Sequence, residues 1–434
     1  MNSFSPYRSA AARTRAGRSH FSPWRRCRTL AVLAASLCLP GAAAPSDGLT
    51  LEQAIGIALA GNPEVRAAAV EVDAARGRTL QFAARPEPQL SAGIEAIPLP
   101  GSKQEGEEAE LHLGIEQVFE FPGKRSLRAE IGRLGERLAE AELDRVKRTV
   151  SAQVRRAYWQ AVFAREAARA LEKSSGRLDL LLGDLQAKYR SGAAAYADVL
   201  RARAEKARLR NQLLEQKKEE RLAALALNEL LALPSGEAME LTSGMPVVPL
   251  VAAPEAALES ARSSSPSLRA AILRQERAAA VVKLAGLSRH PDLLAGFSLP
   301  SVRTRAWGLS LGLTLPFLRP AGARGLALEA GAGMEGARLA VVACERRLRS
   351  ALESALASAK AAEEQVRIFE RDLLRELEDE LRIQLEYFRY GKTEAYALLD
   401  LHRTFVLAEI EHLRAVLLYN LALADLEVAG EELL

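Results

Sequence analysis

The second half of this 434-residue chain repeats its first half at a constant shift of 203 residues. The matches include residue types that alanine-rich helices do not readily share by chance: Glu52, Pro63, Pro88 and Gly93 recur as Glu255, Pro266, Pro291 and Gly296. A period this long exceeds that of solenoid repeats. We therefore interpret the chain as two copies of one half-protein, at residues 45–233 and 254–434, joined by a linker at 234–253.

The first 44 residues have the pattern of a secretory signal peptide. Residues 1–29 contain seven arginines and no acid, Leu30–Leu39 is apolar, and small residues follow at 41–44. The segment holds seven of the 59 Lys and Arg residues and none of the 55 acids, so the remaining chain has a net charge of −3. This balance gives no reason to expect a nucleic-acid partner. Cys344 is then the only cysteine left, and no intramolecular disulfide is expected.

Hydrophobic periodicity predicts the same elements in both halves. Each half begins with a helix interrupted by a proline and continues with two strands, in which apolar residues alternate with Ser, Gly and Glu. A helix of about 60 residues or more and a shorter return helix follow. The predicted helices span 51–84, 124–188, 198–233, 255–287, 325–387 and the region from 391 to 428, and the predicted strands span 90–96, 111–121, 292–299 and 307–317.

The element lengths constrain the architecture. A long helix is matched lengthwise only by two short helices placed end to end, so we expect the helix ending at 233 to continue into the one starting at 255. The C-terminal helix would likewise continue into the helix that starts at 51. The result is four long rods and four strands. Because a bacterial barrel requires at least about eight strands, other copies of the chain must complete it. Two copies supply eight strands and three supply twelve, and the sequence pattern alone leaves both possible.

Several motifs, in their order and spacing, resemble the outer-membrane factors of the TolC type, and most closely the CzcC/CusC-like branch. They are the segment 49–54 (LTLEQA) with Asn62-Pro63, the segment 117–125 (QVFEFPGKR), and the segment 189–192 (YRSG) with Asp198-Val199-Leu200. The similarity covers residues 49–430. It implies a mainly α-helical fold with a small β part: coiled-coil hairpins forming an α-barrel, and four transmembrane strands per chain completing a twelve-stranded barrel in a homotrimer.

The resemblance also implies a function and a set of partners. It implies a passive exit duct in the outer membrane that extends into the periplasm of a Gram-negative cell. A periplasmic membrane-fusion adaptor, an inner-membrane RND pump and outer-membrane lipid are the implied partners, and heavy-metal cations are the first choice of cargo. Tyr189, Gly192, Phe388 and Gly391 would form the hairpin tips that contact the adaptor. Asp400, with Asp198 in the first repeat, would line the pore constriction.

Other interpretations stay open at this stage. Multidrug efflux and type I secretion use ducts of the same class, and a periplasmic coiled-coil tether without a pore is a structural alternative. Asp198 and Asp400 also lie near helix starts, where any aspartate is favoured by the helix dipole. The histidines have no ligand spacing, so no metal site and no cofactor are predicted. No catalytic constellation occurs, and we do not expect an enzyme.

Overall fold

The computed structural model describes residues 48–95, 110–235, 240–242, 244–247, 254–299, 307–318 and 320–429. The predicted signal peptide lies outside these residues, as does part of the predicted linker. In the described first half, the elements are α1 (Leu51–Gly61), α2 (Pro63–Ala83), β1 (Gln89–Glu95), β2 (Glu110–Phe119), α3 (Lys124–Arg190) and α4 (Tyr196–Leu230).

The described second half has the same order of elements, except that its long helix is divided in two. The elements are α5 (Pro254–Ser264), α6 (Pro266–Leu287), β3 (Leu293–Ser298), β4 (Gly308–Leu313), α7 (Pro320–Ile368), α8 (Leu374–Arg389) and α9 (Ala395–Ala429).

The breaks between the short helices follow from their caps. Asn62 caps α2, because its Oδ1 accepts a hydrogen bond from the backbone N–H of Glu64 (2.8 Å) and Pro63 occupies the first turn. Proline fits there because its missing N–H has no partner within the helix anyway. Ser265 and Pro266 repeat this arrangement at α6. These breaks confirm the interruptions predicted from the sequence.

The helix α3 is the longest element, with 67 residues and a length of about 100 Å. Its buried side chains include many alanines, which let neighbouring helices approach closely: Ala139, Ala141, Ala152, Ala157, Ala161, Ala164, Ala167, Ala168 and Ala170. It contacts α1, α2 and α4 of its own half and α6 and α9 of the other half. Among the described helices, none has the length and hydropathy needed to cross a bilayer.

The second long helix is helical throughout 320–389, as predicted for 325–387, but the turn between α7 and α8 is of a different type. Residues Phe369–Leu373 form a π-helical turn between α7 and α8. Such a turn inserts an extra residue and shifts the phase of the hydrophobic stripe. Beyond it, Leu377 and Leu381 pack against Phe405 of α9, so the turn keeps the apolar side of α8 on its neighbour.

The four strands form one antiparallel sheet in the order β1-β2-β3-β4. Apolar residues face each other across the strands on one side, as in the pairs Leu90↔Ile115 and Phe297↔Leu309. These side chains are between 43% and 81% exposed. The opposite side carries Ser, Gly and Glu, as the alternation predicts. Both β1 and β4 have one edge without a partner strand among the described residues.

Strand β4 is shorter than the predicted strand at 307–317. It ends at Leu313, and Pro316 begins a short 3₁₀ turn. The end of the strand is fixed by Thr314, whose Oγ1 accepts from the backbone N–H of Asp292 (2.7 Å) and whose N–H donates to the Asp292 carbonyl (3.0 Å). Proline has no N–H to continue the ladder.

The end-to-end partners of the short helices differ from the prediction. The side-chain Nδ2 of Asn62, at the start of α2, donates to the Leu230 carbonyl at the end of α4 (3.1 Å). In the second half, Leu426 of α9 packs with Ala261 of α5 and Leu268 of α6. The short helices therefore meet end to end within each repeat and not across the linker. In the first repeat the start of α2 meets the end of α4, and in the second the end of α9 meets α5 and α6.

A segment of the linker crosses the helices at mid-height. Leu49 pairs with this segment through hydrogen bonds to the Glu240 carbonyl (2.5 Å) and from the Thr242 N–H (3.1 Å). The buried Tyr158 of α3 donates to the Leu49 carbonyl (2.9 Å), and Asn420 of α9 donates to the Pro246 carbonyl (3.2 Å). The segment thus joins the start of the chain to both α3 and α9.

We predict that Asn62→Ala lowers the free energy of unfolding by about 2 kcal/mol, because it removes a helix cap and a buried hydrogen bond to Leu230. Asn62→Ser is the matched control, since serine keeps the cap and loses only the Leu230 bond, and it should cost about half as much. Denaturant titration of the purified protein in detergent measures both changes. Equal stability of the wild type and Asn62→Ala would contradict this assignment.

Candidate functional site

The two long helix pairs end in the same glycine-terminated turn. Gly192 (φ +77°) and Gly391 (φ +72°) are left-handed, a conformation that L side chains rarely adopt. At each turn the glycine N–H bonds the carbonyl three residues back and the next N–H bonds the carbonyl five back, at 2.8–3.1 Å. These Schellman motifs confirm the helix breaks predicted at both glycines and form two tight tips.

The tips of both halves share one apolar core. It contains Leu181 and Leu185 of α3, Val199 of α4 and Leu398 of α9, together with Phe388 of α8. Phe388 is only 4% exposed. Its ring therefore holds the tips together, and in this arrangement it does not offer a surface to a partner, in contrast to its predicted place among the contact residues.

Lys188 links the two tips directly. Its ammonium donates to the Phe388 carbonyl at the end of α8 and lies 4.0 Å from the centre of the Phe388 ring. The Arg389 carbonyl is 3.5 Å away. A cation is favoured at a helix C-terminus, where unpaired carbonyls carry partial negative charge. The pattern of the sequence gave no signal for this contact, because it depends on which tips are neighbours.

The outer surface of the tips is rich in tyrosine. Tyr189, a predicted contact residue, is 46% exposed, and its ring lies 5.2 Å from that of Tyr196. Tyr390 and Tyr396 are 76% and 58% exposed. With Tyr387, these are five of the eight tyrosines of the chain. Their clustering around the two glycines is visible in the sequence.

The two predicted constriction residues have different surroundings. Asp198 lies in the first turn of α4 and pairs with Arg201 (3.5 Å), whose guanidinium lies 5.9 Å from the centre of the Tyr396 ring. Asp400 is exposed on the second turn of α9, and no ion pair to it is found among the described residues. Of the two carboxylates, only Asp400 presents its charge without a paired cation in this part of the chain.

At the other end of the helices, a polar cluster fixes the junction with the sheet. Lys124 at the start of α3 pairs with Asp292 (2.8 Å), and the same carboxylate accepts from the Phe121 N–H (2.7 Å). The rings of Phe121 and His290 stack at 4.4 Å. Since Asp292 and His290 precede β3 and Phe121 follows β2, the cluster ties the two halves together where strands become helices.

Among the described residues, no group of three His, Cys, Asp or Glu side chains is arranged to hold a metal ion. Cys344 is a half-buried free thiol in α7. The geometry that remains is a helical wall with two joined tips at one end and an open-edged sheet at the other. Such an arrangement defines a wall element of a channel rather than a pocket.

Comparison with known proteins agrees with this class. Residues 54–233 match the family model described as "Outer membrane efflux protein". The cobalt-zinc-cadmium resistance protein CzcC of Cupriavidus metallidurans is 28% identical over 248 residues. That similarity covers 56% of this chain and only 57% of CzcC, so less than two thirds of the relative is matched.

Two solved structures have a similar fold. A membrane protein from Pseudomonas aeruginosa superposes with a TM-score of 0.77, at 19% identity, covering 88% of this chain and 92% of the other. CusC superposes with a TM-score of 0.70, at 17% identity, covering 87% and 91%. At these identities the similarity concerns the fold.

The match at residues 54–233 is to the family that the sequence motifs predicted. The mainly helical fold class with its small sheet is confirmed. The match to this family model also agrees with the prediction that the chain is not an enzyme.

We predict that Lys188→Met loosens the tip of α8. Methionine keeps the length of the side chain but loses the charged hydrogen bond and the ring contact, which together are worth about 1–3 kcal/mol. Amide hydrogen exchange in residues 385–395 should therefore accelerate at least several-fold. Lys392→Met, at an exposed tip position, is the control and should leave exchange unchanged. Identical exchange in both variants would show that the Lys188 contact carries no stability.

Proposed function

We propose that this protein is the outer-membrane duct of a tripartite efflux system, a homotrimer that works with a periplasmic membrane-fusion adaptor and an inner-membrane RND pump. Heavy-metal cations are the proposed cargo. The observation that carries the proposal is the incomplete sheet. Among the described residues, it exposes an apolar face and two edges without a partner strand at one end of a helical wall. Neither feature is stable in a chain that acts alone in water.

The sheet supports closure by identical copies. Unpaired edge strands expose backbone donors and acceptors, and only a closed barrel removes them all. The free edge of β4 in one copy pairs with β1 of the next, and three copies supply twelve strands. Leu90, Leu311 and Leu313, which are 59–81% exposed here, then face outer-membrane lipid.

The helices support the same assembly. On α4, Leu200 and Leu214 are 47% and 62% exposed, and on α8, Ile383 and Tyr387 are each 48% exposed. These side chains lie on two helices of one packed group, in which α4 contacts α3 and α9, and α8 contacts α9. In a ring, α8 of one copy packs on α4 of the next and covers both apolar edges.

The tips are the proposed contact with the adaptor. Gly192 and Gly391 make them narrow, and the exposed Tyr189 offers a large, amphipathic contact surface of the kind enriched at interfaces. Phe388 contributes by supporting the tip from inside. The inner-membrane pump is proposed as a partner because of the family resemblance. We propose that it is connected to this chain by the adaptor, and we assign no pump contact to the described residues.

The choice of metal cations is supported by two observations. CzcC, whose name refers to cobalt, zinc and cadmium, is similar to this chain, and Asp400 presents an exposed carboxylate near the tip. Three copies would place three carboxylates around the pore, a field that attracts cations. Multidrug efflux and type I secretion remain the competing cargo classes. A periplasmic tether without a pore is disfavoured because it has no use for the exposed sheet face.

We predict that Asp400→Asn lowers the ratio of cation to anion permeability about twofold or more, because it removes one negative charge per copy from the constriction. Asp198→Asn is the matched control, since that carboxylate is already paired with Arg201, and its effect should be smaller. Reversal potentials of single channels in a planar bilayer under a salt gradient measure both. Unchanged selectivity in Asp400→Asn would contradict the proposal that Asp400 lines the pore. A wild-type protein that forms no channel would contradict the proposal that the protein is a duct.

The cargo is tested in cells. A strain lacking the gene should become more sensitive to cobalt, zinc, copper or silver, and the wild-type gene should restore tolerance. Unchanged tolerance to all four metals together with a new sensitivity to drugs would favour the multidrug alternative.

A further inference from the structure

A buried histidine lies between the hairpins of the two repeats. His402 of α9 is 5% exposed, and its Nε2 lies 3.0 Å from the Oγ of Ser174 on α3, which is 2% exposed. This polar pair is set among buried leucines and valines of three helices, including Leu178, Leu209 and Val406. The α3–α9 interface that it occupies joins the first repeat to the second just above the tips.

Two grooves open to the surface reach His402 from both sides of the interface. One, of about 480 Å³, separates α3 from α8. Its charged lining from these two helices is Arg177, Asp184, Glu378, Asp379, Arg382 and Arg389. The other, a cleft of about 20 Å³ between α4 and α9, is lined by His402 with the charged residues Glu205, Arg208 and Arg403. Protons therefore have a short path to a side chain that is itself buried.

The charged group that shifts the pKa of His402 is a cation, Arg177. Burial, and next the guanidinium of Arg177, hold the pKa of His402 below its usual range, while a hydrogen bond with Ser174 opposes them. The guanidinium of Arg177 also lies 5.4 Å from the centre of the Phe405 ring, so it is positioned by α9. Among the carboxylates that line the grooves, none contributes to the shift.

We propose that His402 is a proton-sensitive joint between the two hairpins: the α3–α9 interface packs tightly around the neutral imidazole and loosens when the imidazole takes up a proton. A protonated ring would be a buried cation beside the half-buried guanidinium of Arg177, whereas in a loosened interface water would solvate it. The joint is a property of the packing of this chain and does not depend on what the duct transports.

The direction of the pH effect follows from proton linkage. Because the pKa of His402 is lowered in the packed state, that state binds fewer protons than the loosened one. The packing free energy is therefore complete above about pH 6.5 and is lost as the pH falls through the lower pKa of the packed state. One proton changes the equilibrium by at most about tenfold per pH unit. Acid would thus favour separation of the hairpins.

The test is amide hydrogen exchange of the full-length protein in detergent at a series of pH values between 7.5 and 5.0, corrected for intrinsic exchange. In residues 171–185 and 398–409 of the wild type, the protection factors at pH 5.0 should be lower than those at pH 7.5 by about 3-fold to 30-fold. His402→Gln keeps a neutral hydrogen-bonding partner for Ser174 and should abolish the fall. His412→Gln, which changes a histidine of the same helix that lies beside Glu370 and Phe369 instead of Ser174, should retain it.

Two results would overturn the joint. One is a wild-type protein whose protection in these segments is independent of pH over this range. The other is a loss of protection that persists in His402→Gln. If that variant does not fold, the wild-type series is extended to pH 3.5, and a midpoint near pH 4, where carboxylates titrate, would overturn the joint instead. Channel recordings are a separate readout. If the pH-dependent exchange is observed but the protein forms no channel, the proposal for His402 is supported and the proposed function is contradicted.

Discussion

The close packing of other helices along α3 is the constraint on which the rest of the structure depends. This one helix of 67 residues contacts α1, α2 and α4 of its own repeat and α6 and α9 of the other. Its alanines bring these neighbours near enough to form a thin wall, and its length separates the tips at Gly192 from the sheet by about 100 Å. Because α3 is shared by both repeats, the position of every other described helix is set relative to it.

Much of this arrangement was predictable because its signals are local. The proline breaks at Pro63 and Pro266, the end of α3 near Gly192 and the alternation in the strands each depend on a few adjacent residues. The π-helical turn at 369–373, the bond from Asn62 to Leu230 and the linker pairing with Leu49 were not predicted, since each depends on which distant segments are neighbours. For the site, the sequence indicated the two tips and Asp400, but it gave no sign that Phe388 is buried or that His402 meets Ser174.

The repeats are alike in scaffold and different at the tips, and the difference links them. The first repeat supplies the cations: Lys188 reaches the end of α8, and Arg201 lies over Tyr396 of α9. The second repeat supplies the carbonyls and the ring that receive them. The Arg201 contact pairs two different side chains, so a perfectly duplicated chain would lack it. Residues that differ between the repeats thus form contacts that hold the two hairpins together. The Ser174–His402 pair adds a polar contact to the interface between α3 and α9, and we propose that this contact responds to protons.

We propose that this chain is one third of a closed wall, because the sheet of the described residues has two open edges and the helices α4 and α8 each carry exposed apolar side chains. Native mass spectrometry of the detergent-solubilised protein tests this most directly. The account predicts a dominant species of three copies, whose twelve strands leave no edge unpaired. A stable monomer or dimer as the dominant species would contradict it.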